Sequence, residues 1–507
     1  MRGRILIPLP NTGSMGRKRN NFYMRSIFLL ALCIFGLLQY HNFNYLESRD
    51  TVLGDAVTND SDDAILAMVP ATLHKYLTPH SRNHSTAAVT GAMGGAPLLL
   101  NTSSSGAATA TTISFDVYHP PNISEIKRQI VRYNDMQLVL NEDTFGPLQN
   151  DSVIIVVQVH TRITYLRHLI VSLAQAQDIT KVLLVFSHDY YDEDINDLVQ
   201  QIDFCKVLQI FYPYSIQTHP HEYPGVDPND CPRNIKKDQA MIRNCNNALY
   251  PDLYGHYREA KFTQTKHHWI WKANRVFNEL EVTRFHTGLV LFLEEDHYVA
   301  EDFLYLLAMM QKRTKDLCPQ CNVLSLGTYL KTFNYYTYHS KIHARVRLVK
   351  IDSQSIINDY RKVEVMPWVS SKHNMGFAFN RTTWTNIRRC ARHFCTYDDY
   401  NWDWSLQHVS QQCLQRKLHA MIIKGPRVFH IGECGVHHKN KNCESNQVIS
   451  KVQHVLKIAR TSHQLFPRSL TLTVPSLSKK TKLRKGNGGW GDLRDHELCL
   501  NMTLPTR

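Results

Sequence analysis

The run Leu289 to Leu293 is apolar with strand propensity, and it ends abruptly in Glu294, Glu295, Asp296 and His297. Three adjacent carboxylates repel one another unless a cation or a donor-rich ligand compensates them. An open α/β sheet binds its ligands just beyond the carboxyl ends of its strands. Clustered acids at such an end therefore point to a hard divalent metal that also holds phosphates. The same acids would also suit a helix entry, with Asp302 to Lys312 as the helix whose first turn favours negative charge. This segment alone leaves both readings open.

Three further groups could do chemistry. Gln264 to Lys272 (QTKHHWIWK) mixes cations, imidazoles and two tryptophans, which could line a ring-binding pocket or form a helix with Trp269 or Trp271 in the core. Thr396 to Trp404 places Asp398, Asp399 and Asp403 among four aromatics. That pattern fits a sugar platform with a carboxylate base, and equally a helix entry with aromatic packing. Arg427-Val428-Phe429-His430 reads as a short strand ending in a histidine, with Gly432, Gly435, His437 and His438 close behind. A lone histidine is more often a hydrogen-bonded core residue than a ligand; the nearby glycines and histidines strengthen the ligand option.

The elements that would position these groups follow from periodicity. Val153 to Val159 is a β-branched run, His160 to Arg162 a turn, and Leu166, Leu169, Ile170 and Leu173 recur at helical spacing. With the buried strand Lys181 to Ser187 this makes a βαβ unit, hence parallel strands and a crevice at their carboxyl ends. Val207 to Phe211, Leu289 to Leu293 and Val323 to Leu326 extend the expected parallel sheet. No Gly-x-Gly-x-x-Gly and no P-loop pattern occurs, which removes most of the case for a dinucleotide enzyme or a P-loop ATPase.

The N-terminus suggests a compartment. An apolar run from about residue 23 to 42 is preceded by Arg17, Lys18, Arg19 and Arg25 and followed by Glu47 and Asp50. It has about the length of one bilayer span, and the charge asymmetry keeps the N-terminus cytosolic. The long basic leader and the lack of a small-residue cleavage site argue against a cleaved signal peptide. The expected organisation is a cytosolic tail (1–22), a single-pass membrane anchor (23–42), a flexible glycosylated stem rich in Ala, Gly, Ser and Thr (43–112) and a catalytic domain (113–507).

Seven Asn-x-Ser/Thr sequons, at Asn59, Asn83, Asn101, Asn122, Asn150, Asn380 and Asn501, agree with translocation of everything after the anchor. Of the twelve cysteines Cys33 falls in the anchor, so an odd number remains beyond it and at least one thiol is free or pairs with another chain. Cys205, beside an apolar run, is the expected buried free thiol. The net charge of +14 suits a phosphate-bearing ligand, whereas the expected topology excludes nucleic acid as a partner.

Several stretches carry a resemblance. Glu294–His297 (EEDH), Gln264–Trp269 (QTKHHW), His373–Gly376 (HNMG), Cys395–Trp404 (CTYDDYNWDW), Phe429–Lys439 (FHIGECGVHHK) and Gly486–Cys499 (GNGGWGDLRDHELC) together resemble the N-acetylglucosaminyltransferase II family of complex N-glycan assembly. The likeness covers roughly Asp151 to Cys499 and is patchy between Leu330 and Val369. It implies a GT-A-type, Rossmann-like nucleotide-sugar fold, Golgi membrane localisation, Mn2+, and inverting transfer of GlcNAc from UDP-GlcNAc to the α1,6-arm mannose of an N-glycan acceptor.

Carried over position by position, the resemblance makes Asp296 and His430 the metal ligands and Asp403 the catalytic base. Gln158, Val159, His160, Thr161, Arg162 and Asp189 resemble the donor site, and Gln264, Thr265, Lys266, His267 and His268 a substrate-contacting segment. By the same comparison, disulfides join Cys231–Cys245, Cys318–Cys321, Cys390–Cys413, Cys395–Cys499 and Cys434–Cys443. A homodimer stays an open option.

The chemistry is coherent without the family. Inverting transfer is one in-line displacement in which a carboxylate takes the acceptor hydroxyl's proton while a diphosphate leaves from the opposite face. A carboxylate-plus-imidazole ligand set suits manganese better than calcium. A lumenal glycosidase would need two carboxylates flanking one bond and no nucleotide crevice. A glycan-binding protein without activity would keep the aromatics but need neither a base at Asp403 nor affinity for UDP.

Overall fold

Continuous β-branched and aromatic runs without internal Gly or Pro form strands that are buried on both faces, and they dominate this chain's centre. The computed structural model describes residues 66–78, 122–328, 359–432, 445–473 and 485–504. Among these residues the strands are β1 (Val139–Leu140), β2 (Ile154–Val159), β3 (Leu183–His188), β4 (Lys206–Phe211), β5 (Leu289–Glu294), β6 (His297–Val299), β7 (Val323–Ser325), β8 (Lys362–Pro367), β9 (Phe377–Asn380), β10 (His419–Ile423), β11 (Val428–His430) and β12 (Thr471–Thr473). Ten of them form one sheet in the order β1-β4-β3-β2-β5-β9-β7-β10-β8-β12, and β6 pairs with β11 in a separate ribbon.

Strands β2 to β5 run parallel, as the βαβ reading anticipates. β7 shares their direction, but β9, which the sequence reading did not name, inserts antiparallel between β5 and β7. A strand buried on both faces reads as apolar whichever way it points, so composition could not report its direction. The result is a mixed α/β protein with a parallel-rich centre.

Both sheet faces are covered. Ile155, Val157 and Val159 of β2 pack with helices α3 (Ile163–Ala174) and α6 (Phe303–Leu317), and α6 is the helix expected after the acidic run. Their neighbours Ile154 and Val156 face the other way, towards α5 (Ala260–Asn274) and α9 (Trp402–Gln412). In that second layer Trp269 of α5 and Trp402 of α9 stack with centroids 4.7 Å apart and planes 1° from parallel. Phe377 of β9 lies against Trp402 at 5.6 Å. Both tryptophans are thus core residues, and Trp402 is not a wall for a sugar.

The chain divides into two compact units, residues 1–67 and 68–507. The anchor at 23–42 lies outside the described residues, among which no helix is long and apolar enough to cross a membrane. Part of the segment read as stem departs from that reading. Residues 71–77 form a helical turn (Ala71–Leu73) and α1 (His74–Leu77), with Val69 and Tyr76 buried in the core beside α3. The Tyr76 hydroxyl donates to Asp203 at 2.7 Å, and Arg167 donates to the Tyr76 carbonyl at 2.9 Å. The average composition of 43–112 conceals this short apolar patch.

Disulfides join Cys231–Cys245, Cys318–Cys321, Cys390–Cys413 and Cys395–Cys499, and Cys205 is free and buried. Cys33, Cys434 and Cys443 lie outside the described residues.

Candidate active site

The chain runs from β2 outward through β3 to β4, then returns to the other side of β2 as β5. Strand order reverses between β2 and β5, so the segments leaving their carboxyl ends diverge and open a crevice. Gln158 on β2 is in register with Ser187 on β3 and with Glu294 on β5, which puts these three side chains in one row on one face. His160, Asp189, Glu295 and Asp296 follow immediately beyond the strands.

The three acids have different fates. Glu295 is buried (1 % exposed) and accepts the His160 amide at 2.7 Å and Arg162 Nε at 2.7 Å, so it fixes the loop after β2. Asp296 Oδ2 accepts Arg162 at 2.8 Å and lies 3.2 Å from His430 Nε2, whereas its buried Oδ1 has no hydrogen-bond partner among the described residues. An ionised oxygen left bare in the interior is expensive unless a cation completes it. Glu294, Asp296 and His297 offer ligand atoms within 4.8 Å of one another.

His430 reaches Asp296 because β11 pairs with β6, which sets His430 opposite His297. Gly432 then passes so close that a Cβ would stand 2.4 Å from Asp296 Oδ2, so the glycine is required by proximity. His297 plays another part. Its Nδ1 accepts the Glu294 amide at 3.1 Å and burial keeps the ring neutral, with a pKa pushed down to about 3. The proton therefore sits on Nε2, which cannot ligate a metal in that tautomer. Asp296 and His430 remain as converging donors.

Electrostatics agree with a cation site. Burial alone would raise the Asp296 pKa, yet His430 and Arg162 hold it well below the carboxylate range. Burial works against the Arg162 charge, and Asp296 and Glu295 more than offset this. Glu294 is pushed up, first by burial and then by Asp296.

Asp189 anchors the other wall. It accepts His160 Nδ1 at 2.6 Å and Gln264 Nε2 at 3.1 Å, with His268 Nδ1 at 3.4 Å. Burial would raise its pKa, but the hydrogen bonds from His160 and His268 hold it low. Of the five residues Gln264 to His268, these two face the crevice wall. Lys266 is fully buried and donates to the carbonyls of Tyr397 and Asp399, and His267 Nε2 bonds the Asp495 carbonyl. Thr265 is half-buried on the same helix. Val159 points into the core and offers only its backbone, while Thr161 is exposed.

Asp403 sits in the first turn of α9, 9 % exposed. Its Oδ1 accepts the Trp404 amide at 2.9 Å and its Oδ2 accepts Asn374 Nδ2 at 3.0 Å. Burial pushes its pKa up to about 7; the Trp404 amide opposes this, and Asp399 and Glu294 add to it. Asp403 is thus near enough to the acidic strand end to feel its charge. A carboxyl near 7 is poised to accept a proton at neutral pH. The competing acids are occupied. Asp398 accepts the amides of Leu253 and Trp490, and Asp399 those of Asn401 and Asn487. They tie the Gly486–Trp490 loop to the domain, with Gly488 at φ +83° beside Asp252, where a side chain would be strained.

Sequence reading named most of this site but missed Asn374, Lys272 and the distinct tasks of Glu295 and His297. Asn374 lies in the HNMG stretch and Lys272 ends the Gln264–Lys272 segment, so each carried a local signal without a partner.

Comparison with known proteins completes the picture. The family model for N-acetylglucosaminyltransferase II (MGAT2) matches residues 127–350 and 344–499. Proteins named alpha-1,6-mannosyl-glycoprotein 2-beta-N-acetylglucosaminyltransferase are similar to this chain. The rat protein is 44% identical, over 73% of this chain and 78% of its own. The human protein is 43% identical, over 73% and 77%, and the Arabidopsis thaliana protein 33%, over 72% and 78%. Among solved structures, S. aureus TarS aligns over 55% of this chain and 59% of its own with a TM-score of 0.26 and 10% identity, too distant to carry an argument. The chain belongs to the N-acetylglucosaminyltransferase II family.

Proposed function

We propose that this chain transfers GlcNAc from UDP-GlcNAc, with inversion, in β-1,2 linkage to the α1,6-arm mannose of an N-glycan core, on a GT-A-type sheet. The observation that carries the reading is the convergence of Asp296 and His430 at the end of β5, with the buried Asp403 close enough to that strand end to feel the charge of Glu294. Membership of the family supplies the identity of donor and acceptor.

In this reading the Asp403 carboxylate takes the proton of the mannose 2-hydroxyl as its oxygen bonds to the anomeric carbon of GlcNAc. The bond from that carbon to the diphosphate oxygen breaks on the opposite face, and UDP leaves. Asn374 holds Asp403 Oδ2 in place, and the Trp404 amide, donating to Oδ1, favours the ionised carboxylate against the upward push of burial. Asp189, His160 and Gln158 line the donor side. Asp296 and His430 fit a divalent cation, and their mixed O/N set suits Mn2+. When bound, it would balance the negative charge of the diphosphate. The bare Oδ1 of Asp296 is the feature that supports this fit.

The decisive experiment is calorimetric titration of UDP with and without Mn2+, beside turnover on an N-glycan acceptor bearing a free α1,6-arm mannose. Mn2+-dependent UDP binding with product formation is expected. Absence of UDP binding would overturn the reading.

We further infer a Golgi membrane location with a type II anchor at 23–42. Protease added to intact microsomes should spare residues 113–507. Digestion of that portion from the cytosolic side would refute it.

A further inference from the structure

Helix α5 carries Gln264, His268 and Lys272 four residues apart, hence on one face. Each meets a different strand end. Gln264 bonds Asp189 just past β3, His268 Nε2 lies 2.8 Å from Ser187 Oγ on β3, and Lys272 Nζ donates to Gln158 Oε1 on β2. Because Ser187, Gln158 and Glu294 are in register, this face of α5 lies over a polar row crossing β3, β2 and β5 directly beneath the crevice. Lys272 is 1 % exposed. Lys272 Nζ donates to the Gln158 oxygen, and as an ammonium it has donors only; burial pulls its pKa down to about 7, while Glu294 and Asp189 favour the charged form. The Gln158 Nε2, with two hydrogens, takes no partner among the described residues, and Gln158 is only half-buried near the carboxyl end of β2, where the crevice opens.

We propose that Lys272 is a positioning residue for the nucleotide donor: it orients the Gln158 amide so that Nε2 is a fixed donor to an oxygen of the bound UDP moiety. The two other α5 contacts hold the neighbouring strand end in the same register, so the helix sets the donor wall as one unit. Lys272 touches no substrate itself and acts through Gln158. This inference rests on the donor reading above.

The test uses the full-length chain in mild detergent, with UDP and Mn2+ as probes. Lys272→Met keeps length and packing but cannot donate. Loss of a charge-assisted, orienting hydrogen bond should weaken UDP binding roughly tenfold or more. Donor KM should rise similarly while acceptor KM stays within about twofold, since only the donor side contacts the oriented amide.

Gln158→Met should give a similar loss. The double variant, which removes both partners and leaves an apolar pair that such interiors tolerate, should be no worse than either single one. An unchanged UDP affinity in Lys272→Met, equal losses for donor and acceptor, or additive losses in the double variant would overturn the proposal. If the wild-type chain itself fails to bind UDP, the donor reading falls instead. Should Lys272→Met not fold, Gln158→Met and the double variant decide the question by the same comparison.

Discussion

Replacing Asp403 by Asn separates its acid–base role from its structural one. The folded carboxyl titrates near 7 because it is buried, whereas an unfolded aspartate titrates near 4. An acid whose pKa is raised by folding favours the folded state below its unfolded value. That advantage turns into a penalty that grows from about pH 4 to about pH 7 and then levels off. With this difference the ionised Asp403 costs the fold roughly 4 kcal/mol at pH 8, as an upper bound. Asp403→Asn removes the charge, and the buried Oδ1 of Asn374, which has no partner among the described residues, can turn to accept from the new amide. The variant should therefore melt no lower than wild type at pH 8, and the gap should close as pH falls to about 4. Its turnover should drop by about 10²–10⁴ because no group can take the hydroxyl proton. In the wild type kcat/KM should rise about tenfold from pH 6 to pH 8 as the base ionises. The assays are melting curves across pH, kcat and KM on the N-glycan acceptor, and calorimetric affinities for both substrates. A variant that melts lower at pH 8, or keeps turnover within about tenfold of wild type, would refute the argument. Asp398 and Asp399 could not then inherit the role without releasing backbone amides.

Asp296→Ala and His430→Ala should each lower Mn2+-dependent UDP affinity by at least about 100-fold, more than loss of an outer hydrogen-bond partner brings, with circular dichroism unchanged. Gly432→Ala pushes a methyl group into Asp296 Oδ2 and should weaken Mn2+ binding in a folded protein; unchanged affinity by calorimetry would show that Asp296 has room to move. Lys266→Met strips the carbonyls of Tyr397 and Asp399 of their buried donor and should cost about 2 kcal/mol in denaturant melts. Donor KM should be nearly unaffected, because Lys266 faces the Gly486–Trp490 loop and not the crevice.

Periodicity and punctuation alone located β2, β3, β4 and β5 to within two residues, since a buried strand needs an uninterrupted apolar run. The acids at the end of β5 were legible for the same reason: carboxylates following such a run must leave the core. The partners were not. His430 lies more than a hundred residues from Asp296, and only the pairing of β11 with β6 brings the two within 3.2 Å. Likewise the antiparallel insertion of β9, the docking of α1, and the use of Trp269 and Trp402 as core are decided by long-range packing, which leaves no local period in the chain. Composition said that Asp403 sits among aromatics; only the fold determines that burial exceeds its hydrogen bonding and lifts it to about 7. Local sequence determines which side chains can do chemistry, because residue type and spacing are local properties. Tertiary structure decides which of them meet and in what charge state, because proximity and desolvation belong to the whole fold.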